Sequence, residues 1–266
     1  MIIIKRLKII FSLIKRDVRY SFNINFIAYL LILIFFILLN FITIYKLSPF
    51  QRLNRIDLFY ELYKGIPYIE NIKDFSFPLI WFLINSSLLF IVGSYTYEDL
   101  KKNGVYLLTR VGKLEYFYLS KVIWIIGNVL FFYFCIFGIS FIEGLVALPR
   151  ASGMNLFLDV KISSNNFIFT MVVLYIITSI TLCVFQTLLS LVIKPAYAYL
   201  ITIIVLCISI FSKNWIFPGQ HSLLLRHEPF DKLHKLTLEK SISYNVILLI
   251  LLFIIGCIYT SRKDIY

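Results

Sequence analysis

The chain alternates long apolar runs with short polar segments. Six runs come near the roughly 20 residues that a bilayer core requires. They span about Ile24–Tyr45, Pro78–Tyr97, Val122–Ile142, Phe167–Ile193, Ala196–Ser212 and Ser243–Thr260. Lys194-Pro195 leaves room only for a tight turn between the fourth and fifth. The runs are continuous rather than alternating, so they predict helices and not the strands of a transmembrane barrel.

Residues 1–22 have a different period. At 100° per residue Lys5, Lys8, Ser12, Lys15, Arg16 and Arg19 share one arc, and Ile3, Ile4, Leu7, Ile10, Phe11, Ile14 and Val18 lie opposite. That is the pattern of an amphipathic helix lying in the membrane interface. Arg6 and Asp17 interrupt it. A cleaved signal peptide fits less well, because the following apolar run is too long and lacks a small-residue cleavage site.

The stretch Glu98–Lys121, EDLKKNGVYLLTRVGKLEYFYLSK, is a basic, polar island between the second and third runs. It is far longer than the Lys194-Pro195 turn and longer than two antiparallel helices need. Gly104 and Gly112 bound a short segment, Val105–Val111, and predict a helix parallel to the membrane. Its wheel places Leu107, Leu108 and Val111 on one side, with Tyr106, Thr109 and Arg110 on the other. Glu98 and Asp99, followed by Lys101 and Lys102, offer charges of both signs for a docking partner.

Composition agrees with the pattern. Of 266 residues, 60% are hydrophobic and only 15% charged, against about 45–50% and about 25% in soluble domains. The fold class is therefore an all-α polytopic membrane protein, a single transmembrane domain over residues 1–266. The formal net charge is +12, but the basic residues flank apolar runs, where they suit anionic headgroups rather than nucleic acid. Fourteen Lys and Arg lie on the side of the termini and the island, against twelve spread over the longer opposite loops. The bias predicts both termini and the island in the cytoplasm. Outer loops are expected at 46–77, 143–166 and 213–242. In the last of these, Trp215 and Phe217-Pro218-Gly219 are apolar enough to dip toward the membrane.

Candidate chemistry is sparse. Cys135, Cys183, Cys207 and Cys257 all lie in apolar runs and predict no disulfide. No P-loop occurs, the nearest fragment being Gly112-Lys113 with Leu114 where Ser or Thr belongs. His221, His227, Glu228, Asp231 and His234 lack metal-ligand spacing and read as a solvated outer loop. Glu143, at the outer end of the third run, and Asn85, Asn128 and Gln186 within runs are the polar intrusions. Such side chains usually hydrogen-bond between helices; they are also the candidates for a translocation path. No nucleophile–His–acid set can be assembled, so the chain is not expected to be an enzyme.

The N-terminal segment Lys5–Arg19, the island Tyr97-Glu98 to Ser120-Lys121 and the outer Trp215–Gly219 together resemble the permease subunits of bacterial ABC-2-type exporters. That resemblance implies an interfacial helix, six spans and a coupling helix between spans two and three. It implies a separate ATPase dimer as partner, holding ATP and Mg, and no cofactor in this chain. It also implies a second permease subunit, identical or not, in the plasma membrane, and export of a peptide, antibiotic or lipid-like substrate. Small permeases of antimicrobial-peptide export and immunity are the nearest kind. The alternatives from other classes are a non-transporting sensor or immunity protein that binds its ligand at the outer loops, and an ion-coupled transporter, for which midplane charges are missing.

Overall fold

The computed structural model describes residues 2–47, 55–69, 75–93, 95–111, 114–147, 164–228, 230–231 and 236–262. Within them the chain forms eight α-helices: α1 (Ile2–Leu47), α2 (Arg55–Tyr63), α3 (Leu79–Gly93), α4 (Tyr95–Val111), α5 (Leu114–Ala147), α6 (Ser164–Val192), α7 (Pro195–Phe211) and α8 (Leu238–Arg262). Among the described residues there is no strand, only an isolated bridge between His227 and Leu236. Among the described residues five stretches are long and apolar enough to cross a membrane: Asn25–Lys46, Leu79–Asn103, Glu115–Val146, Ile168–Val192 and Leu238–Arg262. The expected fifth span is α7, a shorter apolar helix of 17 residues. Pro195 opens it at the first helical position, where the missing N–H costs nothing.

Three expectations are corrected. The N-terminal segment is not a separate interfacial helix, because α1 runs unbroken through residues 22–24 into the first span. No Gly or Pro lies within that helix to break it. The island is not one element either. Its first half belongs to α4, which starts at Tyr95 and passes through Gly104; its second half, from Leu114, forms the opening turns of α5. One glycine in a helix costs about 1 kcal/mol relative to alanine, too little to stop a helix anchored elsewhere. The 46–77 loop contains α2, whose Leu58, Phe59, Leu62 and Tyr63 are buried. That i, i+1, i+4, i+5 spacing puts all four on one helix face.

An aromatic cluster between α2, α5 and α6 lies within a core that also takes in α1, α3, α7 and α8. Tyr133 and Phe137 stack at 5.3 Å, and Tyr63 meets Phe137 edge-on at 5.0 Å. Each phenol in this cluster finds a partner, as buried tyrosines generally must. Tyr63 shares a hydrogen with Ser140 Oγ at 2.7 Å, Tyr133 with Ser179 Oγ at 2.6 Å, and Tyr175 donates to the Tyr63 carbonyl at 2.9 Å.

Helices α1 and α5 run parallel, held by polar contacts at three depths. Lys121 meets Asp17, Tyr29 donates to Asn128 Oδ1 at 2.6 Å, and Asn40 donates to Ser140 Oγ at 3.1 Å. On α8, Gly256 makes room for the Tyr118 ring of α5; a Cβ there would lie 2.1 Å from ring carbon. Tyr118 in turn stacks on Phe253 at 6.0 Å.

The segment from Trp215 to His227 packs back against α3, α6 and α7. Trp81, near the start of α3, donates to Ser222 Oγ at 2.8 Å, and Gly219 lies against Ser209 and Leu206 of α7. The guanidinium of fully buried Arg226 donates to the carbonyls of Ser209 at 2.7 Å, Ile210 at 2.5 Å, Ser212 at 3.3 Å and Ile66 at 3.3 Å. The carbonyls ending a helix have no partner within it, and they carry the negative end of its dipole. Arg226 satisfies them, and its charge lies 4.6 Å from the Tyr68 ring centre.

His221 and His227 are also inside, which corrects the expected solvated loop there. His221 and His227 are 0% and 3% exposed. His221 Nε2–H donates to the Trp215 carbonyl at 2.9 Å, which leaves Nδ1 to accept from Ser241 at 3.0 Å; this is the neutral tautomer. His227 Nε2–H donates to the His221 carbonyl at 3.1 Å. No metal-binding group of His, Cys, Asp or Glu exists among the described residues, of which His234 is not one.

Two outcomes follow for this end of the bundle. Arg226→Met should lower unfolding stability in detergent by about 2–4 kcal/mol, because it leaves buried carbonyls unpaired. Thermal unfolding of the purified chain reads it. Burial pushes both imidazoles down, His221 to about 4. Above the ordinary value near 6.5, both are neutral whether folded or not, and stability does not depend on their protons. Below it the unfolded chain takes protons that the fold refuses, so stability falls between about pH 6.5 and 4. The unfolding midpoint should drop from pH 7 to pH 5, and His221→Gln should flatten that drop.

Candidate functional site

Four charged side chains meet where α1, α4 and α5 converge. Arg16 and Asp17 come from α1, Asp99 from α4, and Lys121 from the opening turns of α5. The Lys121 side chain has no exposed surface, nor does that of Asp17, and Asp99 is 2% exposed. Lys121 Nζ donates to Asp99 Oδ2 at 2.6 Å and lies 3.0 Å from Asp17 Oδ2. The second contact is an ion pair without hydrogen-bond alignment. Arg16 Nη2 bridges the two acids, at 2.7 Å from Asp17 Oδ1 and 2.5 Å from Asp99 Oδ2.

Neutral donors and rings complete the cluster. Tyr95 Oη donates to Asp17 Oδ1 at 2.9 Å, and Asn103 Nδ2 donates to Asp99 Oδ1 at 2.9 Å. The ammonium of Lys121 lies 4.1 Å from the Tyr95 ring centre and 4.9 Å from that of Phe117. A buried ion loses several kcal/mol of hydration. Here two cations face two anions, so the cluster has no net charge, and ring faces add cation–π attraction.

The local sequence explains the geometry. Asp99 and Asn103 are four residues apart on α4, and Phe117 and Lys121 four apart on α5, so each pair shares a helix face. On α1, Leu13 and Asp17 are likewise four apart. Leu13 packs against Phe117, and Asp17 faces Lys121 one turn further on.

The predicted site residues separate accordingly. Asp99, expected as a docking charge, is turned inward and is unavailable to a partner. Glu98 and Lys101 are exposed, and Glu98 pairs with Lys102 at 3.2 Å. The backbone of Tyr106, Leu107, Leu108, Thr109 and Arg110 is helical, and their side chains lie outside the described ones. The same holds for Lys5 and Lys8. Lys15 and Arg19 are exposed, whereas Arg16, of the same basic arc, turns to the two acids.

The four candidate path residues are not brought together. Asn85 ties α3 to α6, accepting from Ser179 at 3.2 Å, and Asn128 ties α5 to α1. Glu143, near the outer end of α5, keeps its buried Oε2 without a hydrogen-bond partner. Gln186 is fully buried against Gly93, whose missing side chain is what admits it.

Asp17 and Lys121 were legible only weakly. Asp17 interrupts an otherwise basic and apolar pattern, which is a usable signal, since a lone acid on the apolar face needs a cation. Lys121 resembles any basic flank of a span.

Lys121→Met should cost about 3–5 kcal/mol of stability, the range for removing one partner of a buried ion set. Adding Asp99→Asn to it should restore part of that loss, because fewer unpaired charges remain. Thermal unfolding of the two variants and of Asp99→Asn alone gives the coupling energy.

No curated protein matches the chain. A family model does match, over residues 50–266, which takes in α2 to α8 with Asp99 and Lys121 and leaves Arg16 and Asp17 ahead of it. With most of its length so matched, the chain belongs to the DUF2705 family, whose description is a protein of unknown function.

Proposed function

We propose that this chain is the membrane-spanning permease subunit of an ATP-driven exporter of the ABC-2 kind. In this reading the charge cluster faces the bacterial cytoplasm. A separate ATPase dimer docks on α4, and a second permease subunit, identical or not, completes the path. The chain supplies no ATPase chemistry, and ATP and Mg belong to the partner. The substrate is a peptide, an antibiotic or a lipid-like molecule.

The observation that carries the reading is how α4 is anchored. Asp99 fixes it to α1 and α5 through ion pairs to Arg16 and Lys121. Beyond Asp99 the helix continues to Val111. Twelve residues at 1.5 Å each make a lever of about 18 Å. A solvated turn needs neither the lever nor the anchor.

The mechanism follows from the stiffness of the anchor. Separating α4 from the cluster would strand a buried charge, at a cost of several kcal/mol. A push on residues 104–111 therefore moves α1, α4 and α5 together. ATP binding supplies the push by drawing two ATPase subunits together. It shifts the bundle between two arrangements, the physical requirement for coupling distant sites.

Co-purification tests this. With the full chain in mild detergent, an ATPase partner should be recovered with the wild type. The triple substitution Leu107→Ala, Leu108→Ala, Arg110→Ala should reduce the recovered ATPase at least ten-fold while leaving the unfolding midpoint unchanged. An undiminished complex would sink the docking assignment.

A further inference from the structure

A cavity of about 690 Å³ lies between α8 and the folded-back segment that starts at Trp215. It sits away from the charge cluster. Gly256 of α8 packs on Tyr118, three residues from Lys121, and Tyr244 lies twelve residues back along the same helix, about 18 Å by axial rise. Two kinds of surface dominate the lining. One is the rings of Tyr68, Trp215, His221 and Tyr244; the other is the aliphatic side chains of Ile247, Leu248 and Leu251, further along α8.

The polar atoms of three of these rings are already engaged within the protein. His221 uses both nitrogens, on the Trp215 carbonyl and on Ser241 Oγ. Tyr244 donates its hydroxyl to the Ile216 carbonyl, and Tyr68 donates its own to Gln220 Oε1 at 3.5 Å. Tyr244 also stacks on His221 at 4.6 Å and meets Trp215 edge-on at 5.5 Å. The rings are thus fixed to one another, and the cavity is preformed, the usual condition of a small-molecule site. What its walls offer an occupant is ring faces and aliphatic carbon.

Such a space suits neither water nor a void. An ordered water needs two to four polar partners, and the ring atoms that could serve are taken. A void would forfeit the dispersion contacts of the walls. The α8 side determines what fills the space. Ile247 and Leu251 are 59% and 51% exposed, and they belong both to the lining and to the outer face of a helix apolar enough to cross a membrane. In a bilayer that face is bathed in hydrocarbon chains. From Ser243 to Leu251 the helix rises about 12 Å, room for about ten methylene groups.

From this we infer that the cavity is a binding site for one hydrocarbon chain of a bilayer lipid. The chain lies along Ile247, Leu248 and Leu251, and the rings of Trp215 and Tyr244 stand beside its headgroup end, the level such rings favour. Lipid tails are as apolar as leucine, so the gain comes from packing against fixed walls and not from leaving water. The site therefore selects for the chain and is indifferent to the charge of the head. It stands whether or not α4 engages an ATPase.

Native mass spectrometry of the full chain, purified in mild detergent and loaded with one lipid at a time, tests this. Dioleoylphosphatidylcholine and dioleoylphosphatidylglycerol should each be retained at one per chain, with occupancies within two-fold of each other. Ser243→Phe and Ile247→Asn put a ring and an amide in the route of the chain. Both positions are exposed, so each substitution should leave the unfolding midpoint unchanged and lower retention at least five-fold. The retained lipid, brominated along its chain, should quench Trp215 at least two-fold, read as the difference between wild type and Trp215→Phe. Trp215 is 57% exposed, whereas Trp81 and Trp124 are each 1% exposed. No lipid on the wild type, retention of the anionic lipid alone, or retention that both substitutions leave intact overturns the proposal. A retained lipid that leaves Trp215 unquenched overturns it too, by placing the chain elsewhere on the protein.

Discussion

Everything at one end of the bundle depends on the burial of Lys121 between two carboxylates. None of the three helices that meet there can keep its own charge alone. Helix α5 would bury a bare ammonium, α4 a bare carboxylate, and α1 a carboxylate served only by the neighbouring Arg16. Hydrating those groups again means pulling the helices apart. The choice is therefore close to all or nothing, and α1, α4 and α5 behave as one body at this end. A cluster of this kind contributes less to net stability than an apolar core of equal volume would. What it enforces is which helices sit together and at what register.

The rest of the bundle is joined by neutral hydrogen bonds. Tyr29 with Asn128, Asn40 with Ser140, Tyr133 with Ser179 and Asn85 with Ser179 each link two helices. Such bonds within a membrane are worth about 0.6 kcal/mol apiece on average, so any one of them can yield. The far end regains stiffness through Arg226, a single cation serving four carbonyls in place of an acid. The molecule is thus rigid at both ends, by different chemistry, with a more compliant middle. The fully buried Gln186, with neither amide atom hydrogen-bonded, sits against Gly93 at the end of α3.

The helices were readable because their signal is long and repeated. A run of about twenty apolar residues survives errors of a few positions, and five of six runs correspond to helices of membrane-spanning length. The connections were harder. Whether α4 breaks at Gly104 turns on about 1 kcal/mol, which packing easily overrides. The histidine segment was misread for a related reason: polar residues beside Pro and Gly suggest water. Here they are consumed by one another and by helix ends, as in His221 between Trp215 and Ser241. The charge cluster joins residues up to 104 positions apart, Asp17 and Lys121, and no local pattern shows a pairing at that range. Its one local trace is the lone acid in a basic segment.

The parallel pair α1 and α5 connects these observations. Asp17 faces Lys121, Tyr29 faces Asn128, and Asn40 faces Ser140, with separations in sequence of 104, 99 and 100. The offset is nearly constant, so the two helices keep one register from the ionic end to the aromatic core. Sliding one along the other would break the ion pair first and most expensively. A tilt of the whole pair breaks none of these contacts. Any displacement entering at α4 through Asp99 is therefore passed along α1 and α5 as a rigid tilt. The sequence distance between the partners thus has a mechanical meaning: two remote stretches of chain are locked into a single beam.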